Sequence, residues 1–429
     1  MKYYFYLFIF FCKVCILQKI TLPFKKILKK NTSENLINNL FNNELEVNLT
    51  IGTPEKNYPV LLKLQQTETF IMNIDSESKN IKIKYNPKES STYLSKNERL
   101  YLHSKIHCSD GYYIRDTFHF GKEKIKGDLF YFILANKENQ NITSSGELGL
   151  NFDESRLNKD NLYFLKQLQI KNLIAHSVFT LEYNNENEGN LIIGNYPHEY
   201  NKTFNKEDLI YSYIETPNIY IHKVFSNNIV IENSTIVKLE YEFGLIEGSE
   251  DYYNKIYLQF FGDYLNKNIC SKIMVNNMSS YYYTVCNKNI DLQKFPILIL
   301  QIDPLKYNFT FDYKDLFLEF ENKLYFMIVF QLIPDKWILG EIFFKKYQIV
   351  FDKEKKIYGL YFKQSSPNKK NFFKFSAWII VLIFGLLLII SFFLIIYLYR
   401  IIKKRRKIRA NELEDNFEYL PQLNYQVNN

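Results

Sequence analysis

Residues Ile51 to Lys63, IGTPEKNYPVLLK, read as two turns followed by an apolar strand. Gly52 and Pro54 favour the first turn, since glycine accepts unusual backbone angles and proline fixes one of them. The strand from Tyr58 onward ends on a lysine, and the residues after it are Leu-Gln-Gln. A charged side chain at the end of an apolar strand is a candidate site residue, so Lys63 bears on both the fold and the chemistry.

The region up to about residue 375 has a strand-like pattern. Tyr, Phe, Ile and Val recur in short alternating runs that Gly, Asn and Asp separate, which predicts mainly β structure. Helical spacing interrupts this pattern at Lys159–Leu173 and at Glu250–Phe261. About 350 residues exceed one ordinary core and predict two lobes. Examples of the strand-like runs are NLIIGN (Asn190–Asn195), NIVIEN (Asn228–Asn233) and FPILILQID (Phe295–Asp303).

Further stretches follow Ile51–Lys63 in a fixed order. They are YNPKESSTY (Tyr85–Tyr93), SGELGLNF (Ser145–Phe152), HSVFTLEY (His176–Tyr183), EGNLIIGNYPHEYN (Glu188–Asn201) and WILGEIFFKKYQIVFDKEKKIYGLYF (Trp337–Phe362). By their order and spacing, the chain from about Leu45 to Phe362 resembles the pepsin-like aspartic proteases (peptidase family A1). The resemblance implies a mainly β, bilobal pepsin-like acid protease fold.

The resemblance also implies a pair of catalytic aspartates, one from each lobe. In such a dyad, two carboxyl groups about 3 Å apart share one proton, so that one activates water while the other polarises the carbonyl. Asp-Thr/Ser-Gly is expected once in each lobe. At the first position this chain has Lys63 followed by Leu-Gln-Gln, and at the second it has Glu247 followed by Gly-Ser. The sequence therefore predicts a degenerate dyad without an intact aspartate.

A lysine cannot share a proton with a carboxylate and remain a water-activating pair. We expect an ion pair between Lys63 and Glu247, because removing either partner would leave a buried charge uncompensated. The alternative is that both side chains face a wet cleft and touch nothing specific. Either arrangement predicts a catalytically inactive site.

Two other segments bear on the site. CSDGY (Cys108–Tyr112) stands where the family has the flap motif Tyr-Gly-x-Gly, which puts Cys108 at the flap tyrosine and Gly111 in the flap. A rival first aspartate is Asp75, within Asp-Ser-Glu-Ser. That register needs about twelve inserted residues and lacks the glycine, so a surface loop is the alternative.

Other chemistries find no support in the sequence. His103 and His107 are four apart, but a strand would not put both on one face, so we predict no metal site. A Gly-rich phosphate loop and a nucleophile elbow are both missing from the sequence. We expect no cofactor. The remaining histidines are scattered at His119, His176, His198 and His222.

The chain is apolar at both ends. Residues 1–19 have the layout of a secretory signal peptide, although no small-residue cleavage site follows and a retained anchor stays open. Ser376–Tyr399 carries no charge and is long enough to span about 30 Å of hydrocarbon. The basic run Arg400–Arg409 after it predicts a cytoplasmic tail. This run also contributes to the net charge of +8, so we expect no nucleic-acid partner.

An exported ectodomain predicts disulfides and glycans. Cys270 and Cys286 are close in sequence and are the expected disulfide, which leaves Cys108 over because Cys12 and Cys15 fall in the signal segment. Asn-x-Ser/Thr sequons predict N-glycosylation of the exported region. They lie at Asn31, Asn48, Asn141, Asn201, Asn233, Asn277 and Asn308.

These predictions divide the chain into segments. They are a signal peptide (1–19), an N-terminal segment or propeptide remnant (20–44), N-terminal and C-terminal lobes (45–200 and 201–366), one C-terminal transmembrane helix (376–399) and a cytoplasmic basic tail (400–429). Thr21–Lys30 is basic, as a propeptide remnant would be, but also suits a structural strand.

We expect a monomeric type I membrane protein of the secretory pathway or cell surface, with a lumenal or extracellular ectodomain. Its interlobe cleft would bind a peptide or protein without hydrolysing it. A divergent but active aspartic endopeptidase is the alternative.

Overall fold

The structure is a computed structural model of the chain. It describes two compact units, within Met1–Ser365 and Ser366–Asn429. The described residues are 19–28, 33–64, 66–101, 108–120, 128–138, 143–151, 163–212, 218–275, 278–302, 307–331, 337–361 and 397–405.

Strands dominate the first unit. Those of its first half are β1 (Ile20–Lys26), β2 (Leu45–Ile51), β3 (Lys56–Lys63), β4 (Phe70–Met72), β5 (Leu94–Tyr101), β6 (Cys108–His119), β7 (Asp128–Glu138), β8 (Gly146–Gly149), β9 (Val178–Tyr183), β10 (Glu188–Ile193) and β11 (Leu209–Tyr211). Those of its second half are β12 (Asn218–Ser226), β13 (Ile229–Leu239), β14 (Ile246–Glu247), β15 (Cys270–Val275), β16 (Met278–Asn287), β17 (Leu298–Ile302), β18 (Tyr307–Phe311), β19 (Phe317–Phe320), β20 (Lys323–Phe326), β21 (Ile328–Gln331), β22 (Ile338–Leu339), β23 (Ile349–Asp352) and β24 (Ile357–Tyr361).

Short helices connect some of these strands. They are α1 (Ser33–Phe41), α2 (Phe164–Ile170), α3 (Pro197–Tyr200), α4 (Glu250–Tyr252), α5 (Leu258–Asn266), α6 (Tyr313–Leu316) and α7 (Glu341–Lys346). A π-helical turn, Tyr253–Tyr257, joins α4 to α5, so the helix expected at Glu250–Phe261 is present and slightly longer. Of the helix expected at Lys159–Leu173, α2 is the part within the described residues.

The strands form two sheets. The first runs in the order β11-β24-β23-β9-β10-β1-β2-β3-β8-β4-β7-β6-β5. The second runs β18-β17-β12-β13-β22-β14-β21-β16-β20-β19, with β15 paired to β16. A mainly β protein with two sheets agrees with the bilobal fold that the sequence predicts.

The two ends of the domain meet in the first sheet. β1 pairs with both β10 and β2, so residues 20–26 of the N-terminal segment form an integral strand. The closing block also returns to this sheet, where β23 pairs with β9 and β24 pairs with β11. The lobes are thus joined by shared strands as well as by the chain that crosses between them.

Burial follows from the strand pattern. Side chains of β1 and β2 alternate between the interior and the solvent, as expected for sheet strands with one buried face. β4, β8 and β23 are buried along their whole length, which suits central strands covered on both faces. The largest fully buried side chains include Trp337, Tyr241 and Phe179.

The expected disulfide is confirmed. Cys270 and Cys286 are directly opposite each other on β15 and β16, and their sulfur atoms are bonded. The bond closes a loop of sequence separation 16 in the second sheet.

The predicted terminal segments lie mostly beyond the described residues. Residues 1–18 of the signal peptide and 376–396 of the membrane span are outside them, while 397–405 are helical. Within the described parts of the chain, no helix has the length and apolar character needed to cross a membrane.

Candidate functional site

Lys63 ends β3 in the interior of the molecule, where its side chain is 11% exposed. Its Nζ lies 2.8 Å from Oε2 of Glu242, which is in the turn between β13 and β14 of the other sheet. The Glu242 side chain is 36% exposed. The junction of the two sheets therefore contains a partly buried ion pair.

The first sheet sets the position of Lys63 by a specific pairing. β3 is parallel to β8, with Leu62 opposite Leu148 and Lys63 opposite Gly149. After the turn, β4 returns antiparallel to β8 with Phe70 opposite Glu147. Gly149 lies close to this turn, since a Cβ on it would meet the carbonyl oxygens of residues 66 and 68.

The second sheet repeats this arrangement. β13 is parallel to β22, with Leu239 opposite Leu339, and β14 returns antiparallel to β22. Gly340 again packs against the turn, where a Cβ would meet the carbonyl oxygens of Phe243 and Leu245. Leu339 precedes Gly340 as Leu148 precedes Gly149. Glu240 is therefore the counterpart of Lys63.

This register corrects the predicted second position. Glu247 is opposite Ile338 on β22, which makes it the counterpart of Phe70 on the returning strand. Its carboxylate accepts hydrogen bonds from the Tyr281 hydroxyl at 2.8 Å and from Gln331 Nε2 at 3.3 Å. The expected Lys63–Glu247 ion pair is wrong, because the lysine reaches Glu242 instead.

Glu240 follows β13 directly and keeps a carboxyl group at the second dyad position, but this group pairs with Lys238 on β13. Its Oε2 is 2.5 Å from the Nζ of Lys238, and its side chain is 20% exposed. Glu242, two residues later, stands where the family motif has glycine. Within the described residues, the cation at the first position is thus neutralised by the residue at the glycine position of the second.

Tyr241 connects the turn after β13 to β3 of the first sheet. Its hydroxyl donates a hydrogen bond to the Leu62 carbonyl in the other sheet and lies 3.0 Å from Glu242 Oε1. The side chain is 2% exposed. Tyr241 follows the second dyad position, where the family motif has a threonine or serine hydroxyl. Leu64, its counterpart after Lys63, has none.

The electrostatic surroundings keep Lys63 charged. Burial alone lowers the pKa of its ammonium group, but the charge and hydrogen bond of Glu242, together with the charges of other acidic neighbours, outweigh this effect. The charges of Glu147 and Glu44 act in the same direction, and the pKa is raised above its ordinary value of 10.5. An ammonium group that stays protonated at acidic and neutral pH has no lone pair with which to activate water.

The predicted flap residues lie in the first sheet. Cys108 and Gly111 are both on β6, which pairs with β5 on one side and β7 on the other. Residues 102–107, which follow β5 and include His103 and His107, lie outside the described residues. The assignment of Cys108 to the flap tyrosine stays a prediction.

The rival aspartate is not in the site. Asp75 follows β4 and is exposed to solvent, which agrees with the surface-loop alternative. Among the described residues, no group of three or more His, Cys, Asp or Glu side chains could hold a metal ion.

Four predicted glycosylation sites can be located. Asn48, Asn233 and Asn308 are exposed, and Asn201 is partly buried with its Oδ1 accepting from the Thr203 hydroxyl. The remaining sites lie outside the described residues; they are Asn31, Asn141 and Asn277. Glycosylation itself stays a prediction.

The residues that sequence reasoning missed are Glu240, Tyr241 and Glu242. The apolar run before Glu247 resembles the strand that precedes a catalytic aspartate, and this likeness misplaced the motif. A better signal was the run IVKL (Ile236–Leu239). It is followed directly by the charged residue Glu240, just as PVLL (Pro59–Leu62) is followed directly by Lys63.

Comparison with known families agrees with this architecture. The family model described as eukaryotic aspartyl protease matches residues 46–361. Among curated proteins, none matches the chain.

Proposed function

The chain belongs to the eukaryotic aspartyl protease family, and we propose that it is a non-catalytic member whose interlobe cleft binds a peptide or protein. The observation that carries this proposal is the ion pair between Lys63 and Glu242. It occupies the junction at which the family's chemistry requires two carboxyl groups that share a proton.

The chemical argument is one of charge. Hydrolysis by this route needs one ionised and one protonated carboxyl group about 3 Å apart. Lys63 supplies a cation instead, and Glu240 is paired with Lys238. A single carboxylate held by a lysine cannot both take a proton from water and polarise the carbonyl.

A divergent, active endopeptidase is the second candidate. It is favoured by the carboxyl group that Glu240 retains at the second position and by the nearby charges of Glu242 and Glu147. It would need a second acid in place of Lys63, and residue 63 offers none. We therefore place the non-catalytic function first.

We further propose that the domain is a monomeric ectodomain of a single-pass type I membrane protein, glycosylated in the secretory pathway or at the cell surface. Support comes from the uncharged run Ser376–Tyr399 and the basic cluster after it. Exposed sequons at Asn48, Asn233 and Asn308 are compatible with glycans on the folded domain.

A cleavage assay tests the non-catalytic proposal. The full-length chain is incubated with a diverse peptide library at about pH 3 to 6, where family chemistry operates, and products are identified by mass spectrometry. We expect no cleavage above that of a Glu240→Gln preparation made in the same way. Cleavage that a peptide transition-state mimic abolishes, and that is absent from Glu240→Gln, would overturn the proposal.

A further inference from the structure

The side chain of Lys272 lies among three tyrosine rings, which we call the tyrosine cage. Its Nζ is 4.2 Å from the ring centroid of Tyr282, 4.7 Å from that of Tyr253 and 5.9 Å from that of Tyr257. Each distance is within the roughly 6 Å at which a ring face attracts a cation. Among the described residues no carboxylate pairs with this ammonium, which donates a hydrogen bond to the Tyr253 hydroxyl at 2.5 Å. The rings, rather than an acid, therefore hold the charge.

Two elements of the second half of the domain build the tyrosine cage. Tyr253 and Tyr257 begin and end the π-helical turn between α4 and α5, and their ring centroids are 4.8 Å apart. Tyr282 is on β16, and Lys272 is on the paired strand β15, two residues from the disulfide-bonded Cys270. A π-helical turn within a helix is frequently found at a functional site.

The walls of the tyrosine cage are held in place independently of Lys272. Phe330, which is 1% exposed, packs against all three rings, with centroid distances of 5.1, 5.1 and 5.7 Å. The hydroxyl groups of Tyr257 and Thr284 are 2.6 Å apart, and both residues are buried. The rings therefore keep their positions when the lysine side chain moves away.

A primary ammonium is not the cation that suits such a cage best. Lys272 is exposed to solvent, and a lysine ammonium is strongly hydrated, so its side chain can readily return to water. A quaternary ammonium has no N–H donor and gains from contact with ring faces, which is how aromatic cages recognise choline and methylated lysine. It would forgo the hydrogen bond that Lys272 donates to Tyr253.

We propose that the tyrosine cage is a binding site for phosphocholine, a quaternary ammonium group that carries a phosphate, and that Lys272 is the lid of this site. The trimethylammonium group takes the place of the lysine ammonium, which moves outward and pairs with the phosphate. No residue of this site belongs to the candidate functional site described above. The proposal therefore goes beyond the proposed function and does not depend on it.

Phosphocholine has two sources, the free compound and the headgroup of a lipid, and Met274 bears on the difference. This side chain is 44% exposed and lies opposite Tyr282. Because residues two apart on a strand point to the same face, Met274 is on the face of β15 that carries Lys272. A lipid would thus have an apolar contact next to the tyrosine cage that free phosphocholine lacks.

Binding of choline tests whether the tyrosine cage accepts a quaternary ammonium. The full-length chain is titrated with choline, and NMR follows the methyl protons, which shift upfield over ring faces. We expect Lys272→Ala to bind choline at least about tenfold more tightly than the unaltered chain does, because the rings become accessible.

Lys355→Ala is the matched control for this gain. The Lys355 Nζ lies 3.8 Å from the ring centroid of Tyr211, but the Asp352 carboxylate also holds it at 3.0 Å. This variant should bind choline no more tightly than the unaltered chain does. If Lys272→Ala shows no gain over Lys355→Ala, the proposal is overturned.

The same titration with phosphocholine tests the role of Lys272 as the lid. The unaltered chain should bind phosphocholine at least about threefold more tightly than choline, since the displaced ammonium pairs with the phosphate. Lys272→Ala should bind the two ligands equally. Equal affinities in the unaltered chain, a result that needs no variant to fold, would overturn the proposal.

Two substitutions of Tyr253 separate the ring from its hydroxyl. Tyr253→Phe and Tyr253→Leu both remove the hydrogen bond from Lys272, but phenylalanine keeps an aromatic face. Choline affinity should be retained in Tyr253→Phe and should fall about tenfold in Tyr253→Leu. Equal affinities in these two variants, with unfolding temperatures showing that both are folded, would contradict binding by the ring.

A short-chain lipid distinguishes the two sources of the ligand. Dihexanoyl phosphatidylcholine is titrated below its critical micelle concentration under the same conditions as phosphocholine. Tighter binding of the lipid, reduced in Met274→Ser, identifies a lipid headgroup as the ligand. Equal binding of the two compounds identifies free phosphocholine.

Discussion

The Nζ of Lys63 lies 2.8 Å from Oε2 of Glu242, and this contact joins β3 of the first sheet to the turn between β13 and β14 of the second. Lys63 ends the strand at which the family places its first catalytic acid. Glu242 takes the glycine position of the second motif. One substitution at each site thus replaces a proton-sharing pair with an opposite-charge pair.

Removing the Lys63 ammonium should destabilise the fold. We expect Lys63→Met to lower the free energy of unfolding by about 1 to 2 kcal/mol, less than for a fully buried pair because Glu242 is 36% exposed. Lys56→Met is the matched control: its pair with Glu89 is half exposed on both sides, so a clearly smaller loss is expected. Urea unfolding measures both. Equal losses for the two variants would contradict this assignment.

The stabilisation by the Lys63–Glu242 ion pair should depend on pH. The pKa of Lys63 is raised in the folded protein above its ordinary value of 10.5, so the folded state holds this proton more tightly than the unfolded state does. The stabilisation is therefore fully present below about pH 10.5 and is lost as pH rises through the folded pKa. The stability difference between the unaltered chain and Lys63→Met should be constant from neutral pH to about pH 10 and shrink above it. A stability difference between the two proteins that grows above pH 10.5 would contradict a raised pKa of Lys63 in the folded state.

Lys353 should show the opposite pH dependence, because its charge destabilises the folded protein. It is 6% exposed, and burial lowers the pKa of its ammonium group to about 8. Its charge therefore costs stability below pH 8, and this cost disappears between pH 8 and 10.5. Lys353→Met should be about 1 to 3 kcal/mol more stable than the unaltered chain at pH 7, less any loss of the hydrogen bond to Asn151. Thermal unfolding at pH 7 and pH 10 should show the advantage shrinking; an advantage that is larger at pH 10 would be incompatible with a lowered pKa.

The Tyr241 hydroxyl should contribute more to stability than another buried tyrosine hydroxyl. Tyr241→Phe removes the hydrogen bond to the Leu62 carbonyl and should cost about 1 to 2 kcal/mol. Tyr252→Phe is the matched control, since the buried Tyr252 hydroxyl has no hydrogen-bond partner among the described residues. Its removal should be neutral or stabilising. Equal costs in chemical denaturation would show that the contact across the sheets adds nothing.

The Cys270–Cys286 bond should stabilise the second sheet. A loop of sequence separation 16 predicts about 3 kcal/mol from the reduced freedom of the unfolded chain. Cys270→Ser/Cys286→Ser should lose this amount in urea unfolding, and a reducing agent should have no further effect on the double variant. A double variant as stable as the oxidised chain would contradict the expectation.

Much of the fold was predictable because local patterns and motif order agree. The closing block Trp337–Phe362 and the segment Ser145–Phe152 carried the family assignment, and Lys63 was placed correctly at the end of its strand. Glu240 was missed because an apolar run before Glu247 resembles the correct strand. The hydrogen bonds between residues 41–43 and 242–244 leave no periodic trace in the sequence, since they join the end of α1 to a turn far away in the chain.

Zero-length cross-linking tests the central geometry most directly. A carbodiimide joins a lysine amine to a carboxylate only when the two are in contact, and the exposed part of Glu242 makes its carboxylate available for activation. Mass spectrometry of the treated full-length chain should find Lys63 linked to Glu242 and should lose that product in Glu242→Gln. A link from Lys63 to Glu247, or to Glu240, would contradict the account of the site.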